Sequence, residues 1–173
     1  MKKSVVCSVL AVTFVILLLV ILVGSSADSK ATVQPVEQPK AHIYTNDELL
    51  AEANRLRAEK GVAPLRIDER LKQSAQWKAD DMKEFNYYGH VKPGDTRNNG
   101  TFKAIELTGS DCSSVSENLD GTYLDESPFE NEGWISSKAH YDAEINPRYD
   151  TTGFASVQVG NQRYYVQHFC ELR

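Results

Sequence analysis

Ser137 and His140 lie three residues apart, a hydroxyl and an imidazole at helical spacing. Such a pair is the smallest unit of nucleophilic catalysis, because an adjacent base can take the hydroxyl proton. The surroundings argue against that chemistry. No Gly-x-Ser-x-Gly turn encloses Ser137, and no glycine loop stands ready for an oxyanion, so packing or helix surface is its default role. The sequence also lacks the His-Glu-x-x-His pattern of helical zinc hydrolases. Of the other histidines, His42 carries no signal, and His168 shares a strand face with Val166 and Cys170 and reads as structural. Asn99-Gly100-Thr101 matches a glycosylation sequon, which matters only in a host that glycosylates exported proteins.

What must hold such residues begins with an unusual N-terminus. Met1-Lys2-Lys3 precedes an uncharged apolar run, Val5–Val23. About 20 helical residues span a bilayer core of about 30 Å. Lysines before the run and none just after it put the N-terminus in the cytoplasm and the remainder outside. Residues 1–24 are therefore expected to be a membrane anchor or signal segment. Ser25 and Ala27 would suit a signal peptidase, giving a secreted product after cleavage near Ala27. The run exceeds the roughly 7–15 residues of a signal-peptide core, which favours an uncleaved single-pass anchor. Residues 25–43 are polar, contain two prolines and show no period, as in a flexible linker. Residues 44–173 suffice for one domain with its own core.

Export decides the reading of the cysteines. Cys7 falls inside the apolar run, too early for a lipoprotein attachment site, whereas Cys112 and Cys170 form an even pair facing an oxidising compartment. They are predicted to form a disulfide, the alternative being two separate buried thiols. Closing so long a loop would contribute on the order of 3–4 kcal/mol. The formal net charge is −5 and no basic stripe appears, which argues against a nucleic-acid partner.

Within the domain, Thr45-Asn46-Asp47-Glu48 is a capping box, after which Leu49, Leu50, Ala53 and Leu56 fall on one helical face as far as Gly61. Asp68 caps a second helix, with Leu71, Ala75, Ala79 and Met82 on one side, running to about Phe85. Lys92–Gly100 reads as a loop, with a short helix over Thr101–Leu107. Ser127-Pro128-Phe129-Glu130 is a second capping box, predicting a helix to Ala139 or His140 that carries Phe129, Gly133, Trp134 and Ser137, then a turn through Ile145 before Pro147. Trp134 is assigned to the core, and Tyr87 and Tyr88 either flank a cleft or pack the end of the second helix on the sheet. Alternating runs at Gly153–Val159 and Arg163–Cys170 flank a Gly160-Asn161 turn, and one more strand is expected at Ser114–Leu119. Helices first and a hairpin last give an α+β layered domain.

The order of these residues resembles a CAP domain, the fold of cysteine-rich secretory proteins, antigen 5 and pathogenesis-related 1 proteins. The matching stretches are Leu49-Leu50, Asn54, Arg57, Gly61, Pro64-Leu65, Asp68 and Leu71. Gly89-His90, Ser116-Glu117-Asn118-Leu119, Trp134, Ser137, His140, Ile145-Asn146-Pro147, Gly153-Phe154-Ala155, Tyr164-Tyr165-Val166-Gln167 and Phe169 follow in order. The short interval from His140 to Gly153 resembles the compact bacterial branch. The resemblance implies a three-layer α-β-α sandwich with a cleft where two histidines and two acidic residues converge. His90, Glu117 and His140 match three of those positions, and the fourth is Ser137 here. Glu144, one helical turn beyond His140, could supply a carboxylate, although its spacing does not match.

On that resemblance, His90, Glu117 and His140 form a tentative ligand set for Zn²⁺ with a fourth position for water, or else hydrogen-bond one another in a polar cleft floor. The function expected first is an extracytoplasmic, cell-surface binding or interaction module using this cleft, for a protein, lipid or cell-envelope ligand, with the membrane engaged through the N-terminal segment. The alternative is a metal-dependent hydrolase of peptides or cell-envelope polymers.

Overall fold

The computed structural model describes residues 42–95, 106, 109, 111–130 and 132–173. The apolar segment 1–24, most of the linker 25–43, the sequon and nearly all of the helix expected over Thr101–Leu107 lie outside the described residues. Among the described residues no helix is long and apolar enough to cross a membrane.

The elements run α1 (Asn46–Glu59), β1 (Arg66–Ile67), α2 (Glu69–Glu84), β2 (Cys112–Tyr123), α3 (Lys138–Glu144), β3 (Thr151–Val159) and β4 (Gln162–Leu172). The capping box forms as expected: Glu48 N–H donates to Thr45 Oγ1, and Thr45 N–H donates to the Glu48 carboxylate at 2.7 Å. Asp68 caps α2 by accepting from Arg70 N–H. The β3–β4 hairpin turns at Gly160, whose φ of +62° suits glycine. The two-residue β1 has no period to reveal it in the sequence, and it exists because it pairs with the start of β3.

The sheet order is β1-β3-β4-β2, with β1 parallel to β3 and the other pairs antiparallel. Strand residues alternate between two faces, and each face has its own core. Leu49, Ala53, Leu56, Phe129, Trp134, Phe154, Tyr165 and Phe169 fill the side covered by α1 and α3. Ala75, Ala79 and Met82 of α2 pack on Leu119 and Val166 on the other side. This is the expected α-β-α layering, with Trp134 in the core.

One expected element is replaced. The stretch after Ser127 forms turns, and α3 begins only at Lys138. Ser127 Oγ accepts from Phe129 N–H, and Trp134 N–H donates back to Pro128 C=O at 2.6 Å. The chain closes so tightly there that a Cβ on Gly133 would sit 2.2 Å from Pro128 C=O. The capping signal was real, but the aromatic pair Phe129 and Trp134, 5.0 Å apart edge to face, seats better from a folded turn than from a helix.

Cys112 and Cys170 are joined in a disulfide with Cα atoms 5.4 Å apart. It fastens the start of β2 to β4 beneath Leu71 of α2. On the other side of the sheet Arg57 is wholly buried, and its guanidinium donates to the carbonyls of Ala63, Glu144, Asn146 and Tyr149. That clamp fixes the C-terminal end of α3, the helix that carries His140.

Candidate functional site

Edge strand β2 contributes Glu117 and Asn118 to opposite faces. Glu117 points toward α2 and Asn118 toward α3. The α2 side brings His90. Beyond the end of α2, Asn86 adopts a left-handed φ of +50°, which ends the helix and turns the chain. Lys78, wholly buried on α2, then holds the returning segment by donating to Gly89 C=O at 2.7 Å and His90 C=O at 3.0 Å. A glycine at 121 leaves room for the Tyr88 ring, which lies 5.0 Å from Tyr164 and is half exposed.

His90 keeps 55 % of its side chain exposed, and its Nδ1 meets Glu117 Oε1 at 2.8 Å, while the carboxylate is only 2 % exposed. The other carboxylate oxygen, Oε2, lies 2.8 Å from Nε2 of His168, which is wholly buried. His168 Nδ1 in turn meets Ser74 Oγ of α2. Burial alone would push the Glu117 carboxyl up. The hydrogen bonds from His168 and His90 and the Lys78 charge outweigh it and hold the group at about 2.

His140 comes from the opposite layer. Its ring centroid lies 6.5 Å from that of His90, and its backbone C=O accepts from Asn118 Nδ2 at 3.1 Å. Burial, then the neighbouring His90, lower its affinity for a proton. The two imidazoles thus approach each other with their rings tilted by 56°, and Glu117 bonds to His90. Ser137 is the N-cap of α3 in extended conformation, and its hydroxyl makes no capping bond. The serine and His140 therefore do not share a face inside one helix.

Glu144 does not restore the fourth position. It is fully buried on the Asn118 side of the sheet, accepting from Asn118 Nδ2 at 3.1 Å and Gln167 Nε2 at 3.2 Å. Burial pushes it up to about 8 despite those bonds and the Arg57 charge. Among the described residues no three His, Cys, Asp or Glu side chains are grouped to hold a metal ion. Both Glu117 oxygens are engaged by imidazoles, which makes the carboxylate a partner of the His90 ring and not a third ligand beside it, so a Zn²⁺ set of His90, Glu117 and His140 does not fit this arrangement.

Two of the residues that build the site carry only a weak signal in the sequence. Ser74 and Lys78 recur with Leu71, Ala75 and Met82 at helical spacing, so two polar residues on a buried stripe were the available signal. His168 lies on the strand face that alternation gives it, but its link to Glu117 depends on the β2–β4 register, which no turn in the sequence sets.

A profile described as the cysteine-rich secretory protein family, CAP, matches residues 50–169. The uncharacterized membrane protein YlbC of Bacillus subtilis (strain 168) is 30% identical over 131 residues, 75% of this chain and 35% of that protein. The chain thus spans about a third of that curated relative. Among solved structures, an outer surface protein from Borrelia burgdorferi is 22% identical at a TM-score of 0.61, covering 78% of this chain and 100% of that one. An extracellular protein containing an SCP domain from Bacillus anthracis str. Ames is 19% identical at 0.59, covering 73% and 40%. These two likenesses are of fold. With a match over more than half of its length, the chain belongs to the CAP, or cysteine-rich secretory protein, family.

Proposed function

We propose that this CAP domain works outside the cytoplasm as a binding or interaction module, tethered to the cell membrane by its N-terminal segment, with its ligand taken at the His90–His140 cleft. The observation that carries the reading is the state of Glu117. Its two oxygens are both satisfied by imidazole nitrogens 2.8 Å away, so the carboxylate orients a recognition surface and is not poised to attack or to activate water. His90, the half-exposed Tyr88 and the partly exposed Val91 add polar and apolar contact area beside it, the mixture that a protein or cell-envelope ligand would meet. A disulfide within the domain suits an oxidising exterior.

The metal-dependent hydrolase reading has less support, because Ser137 replaces a carboxylate and Glu144 faces the core. The test is retention of labelled envelope protein, lipid and cell-wall fractions by the full-length chain beside a His90→Ala/His140→Ala variant of equal stability. One fraction held by the parent and released by the variant supports the proposal. Equal retention of every fraction would overturn it. A parallel Zn²⁺ titration separates the readings: saturable one-to-one binding lost in the variant favours the hydrolase.

A further inference from the structure

We infer that His168, backed by Ser74, is a positioning residue that sets the tautomer of His90 through Glu117. The three strand residues Gly153, His168 and Glu117 are neighbours across β3, β4 and β2. Gly153 has no side chain because the backbone of α2 lies on it: an added Cβ would stand 2.2 Å from Lys72 N and 2.3 Å from Leu71 C. That close approach brings Ser74 onto His168. The result is an unbroken chain from Ser74 Oγ to His168 Nδ1, from His168 Nε2 to Glu117 Oε2, and from Glu117 Oε1 to His90 Nδ1.

A carboxylate can only accept hydrogen bonds, so both nitrogens that face it carry protons. The proton of His90 is therefore held on Nδ1, and Nε2 is left for the cleft, a lone pair whenever the ring is uncharged. Glu117 alone would not secure this. Without a donor at Oε2 that oxygen would lose its only protein partner among the described residues, and the carboxylate would be free to rotate out of the plane that faces His90. His168 is wholly buried and cannot move away, so it fixes the carboxylate plane and thereby the ring of His90. The cleft then presents an acceptor at His90, suited to hydroxyl or amine donors on a ligand.

This inference rests on the cleft reading for its functional meaning, but its test needs no ligand, so either can fail alone. Long-range ¹H–¹⁵N spectra of the full-length ¹⁵N-labelled chain in detergent micelles would be recorded at pH 8.5, where imidazoles are ordinarily uncharged. His90 is expected to show a protonated Nδ1 and a bare Nε2. His168→Gln keeps an N–H donor and should keep that pattern, whereas in His168→Leu the two ¹⁵N shifts should converge as the proton exchanges between sites. A His90 protonated on Nε2 in the parent, or an unchanged pattern in folded His168→Leu, overturns the proposal. Should His168→Leu fail to fold, Ser74→Ala replaces it: partial convergence supports the proposal and an unchanged pattern overturns it.

Discussion

His168 donates from Nε2 to Glu117 Oε2 across 2.8 Å between the facing positions of β4 and β2, so the carboxylate at the cleft floor is held from inside the core. Removing it strands a buried N–H. Glu117→Ala should cost about 3 kcal/mol, in the range for breaking a buried charged hydrogen-bonded pair. Glu117→Gln, which can still accept one of the two bonds, should cost about half as much. Urea unfolding followed by circular dichroism measures both, and equal stability of Glu117→Ala and the parent would remove the network from the account.

The two buried glutamates give opposite pH dependences. Glu117 is held at about 2 in the folded chain, so its contribution is present above the ordinary glutamate value near 4.3 and is lost as pH falls from there toward 2. Glu144 is pushed up to about 8, so the folded state keeps a proton that the unfolded chain has released. Its effect is therefore a progressive loss of stability as pH rises from about 4.3 to 8. Glu144→Gln stays neutral throughout and should flatten that slope. Thermal unfolding between pH 5 and 9 should show the variant gaining on the parent as pH rises, and parallel curves would refute the assignment.

Reduction should weaken the domain. Cys112 and Cys170 are 58 residues apart, and closing a loop of that size contributes about 4 kcal/mol through the unfolded state. Thiol labelling of the denatured, non-reduced chain should find neither cysteine, and a Cys112→Ser/Cys170→Ser variant should unfold at correspondingly lower urea. Stoichiometric labelling at both positions would contradict the bond.

The N-terminal segment is tested by fractionation. A retained anchor keeps the chain in the membrane pellet at full-length mass. A soluble product beginning at Asp28 would make the segment a cleaved signal peptide instead.

Local signals read well here because local physics decided them. Thr45 with Glu48, Asp68 and the Gly160 turn each satisfy backbone groups within a few residues, so their elements could be read from the sequence. His90, Glu117 and His140 follow from the order of family motifs, and that order leaves open whether they hold a metal or hydrogen-bond one another. The pairing of Glu117 with His168 follows from strand register, fixed by packing across the whole sheet. The turn after Ser127 differs from the expected helix for a related reason: Phe129 and Trp134 gain more from burial against the sheet than from a helical backbone.

Gly153 sits where α2 comes closest to the sheet. Its neighbours are the backbone atoms Lys72 N and Leu71 C of α2, and backbone in a packed helix cannot swing aside as a flexible side chain can. Gly153→Ala must therefore lift α2 from the sheet. Overpacking of this kind costs about 1–3 kcal/mol, and lifting α2 would also part Ser74 from His168. The variant should thus be less stable by about 3 kcal/mol in urea while its disulfide still forms. Gly160→Ala, where nothing lies within 4 Å but φ is +62°, is the control: it should cost about 1 kcal/mol from backbone strain alone and leave the His90 spectrum unchanged. If both variants lost the same stability and neither altered His90, the close approach of α2 would not be what builds the cleft floor.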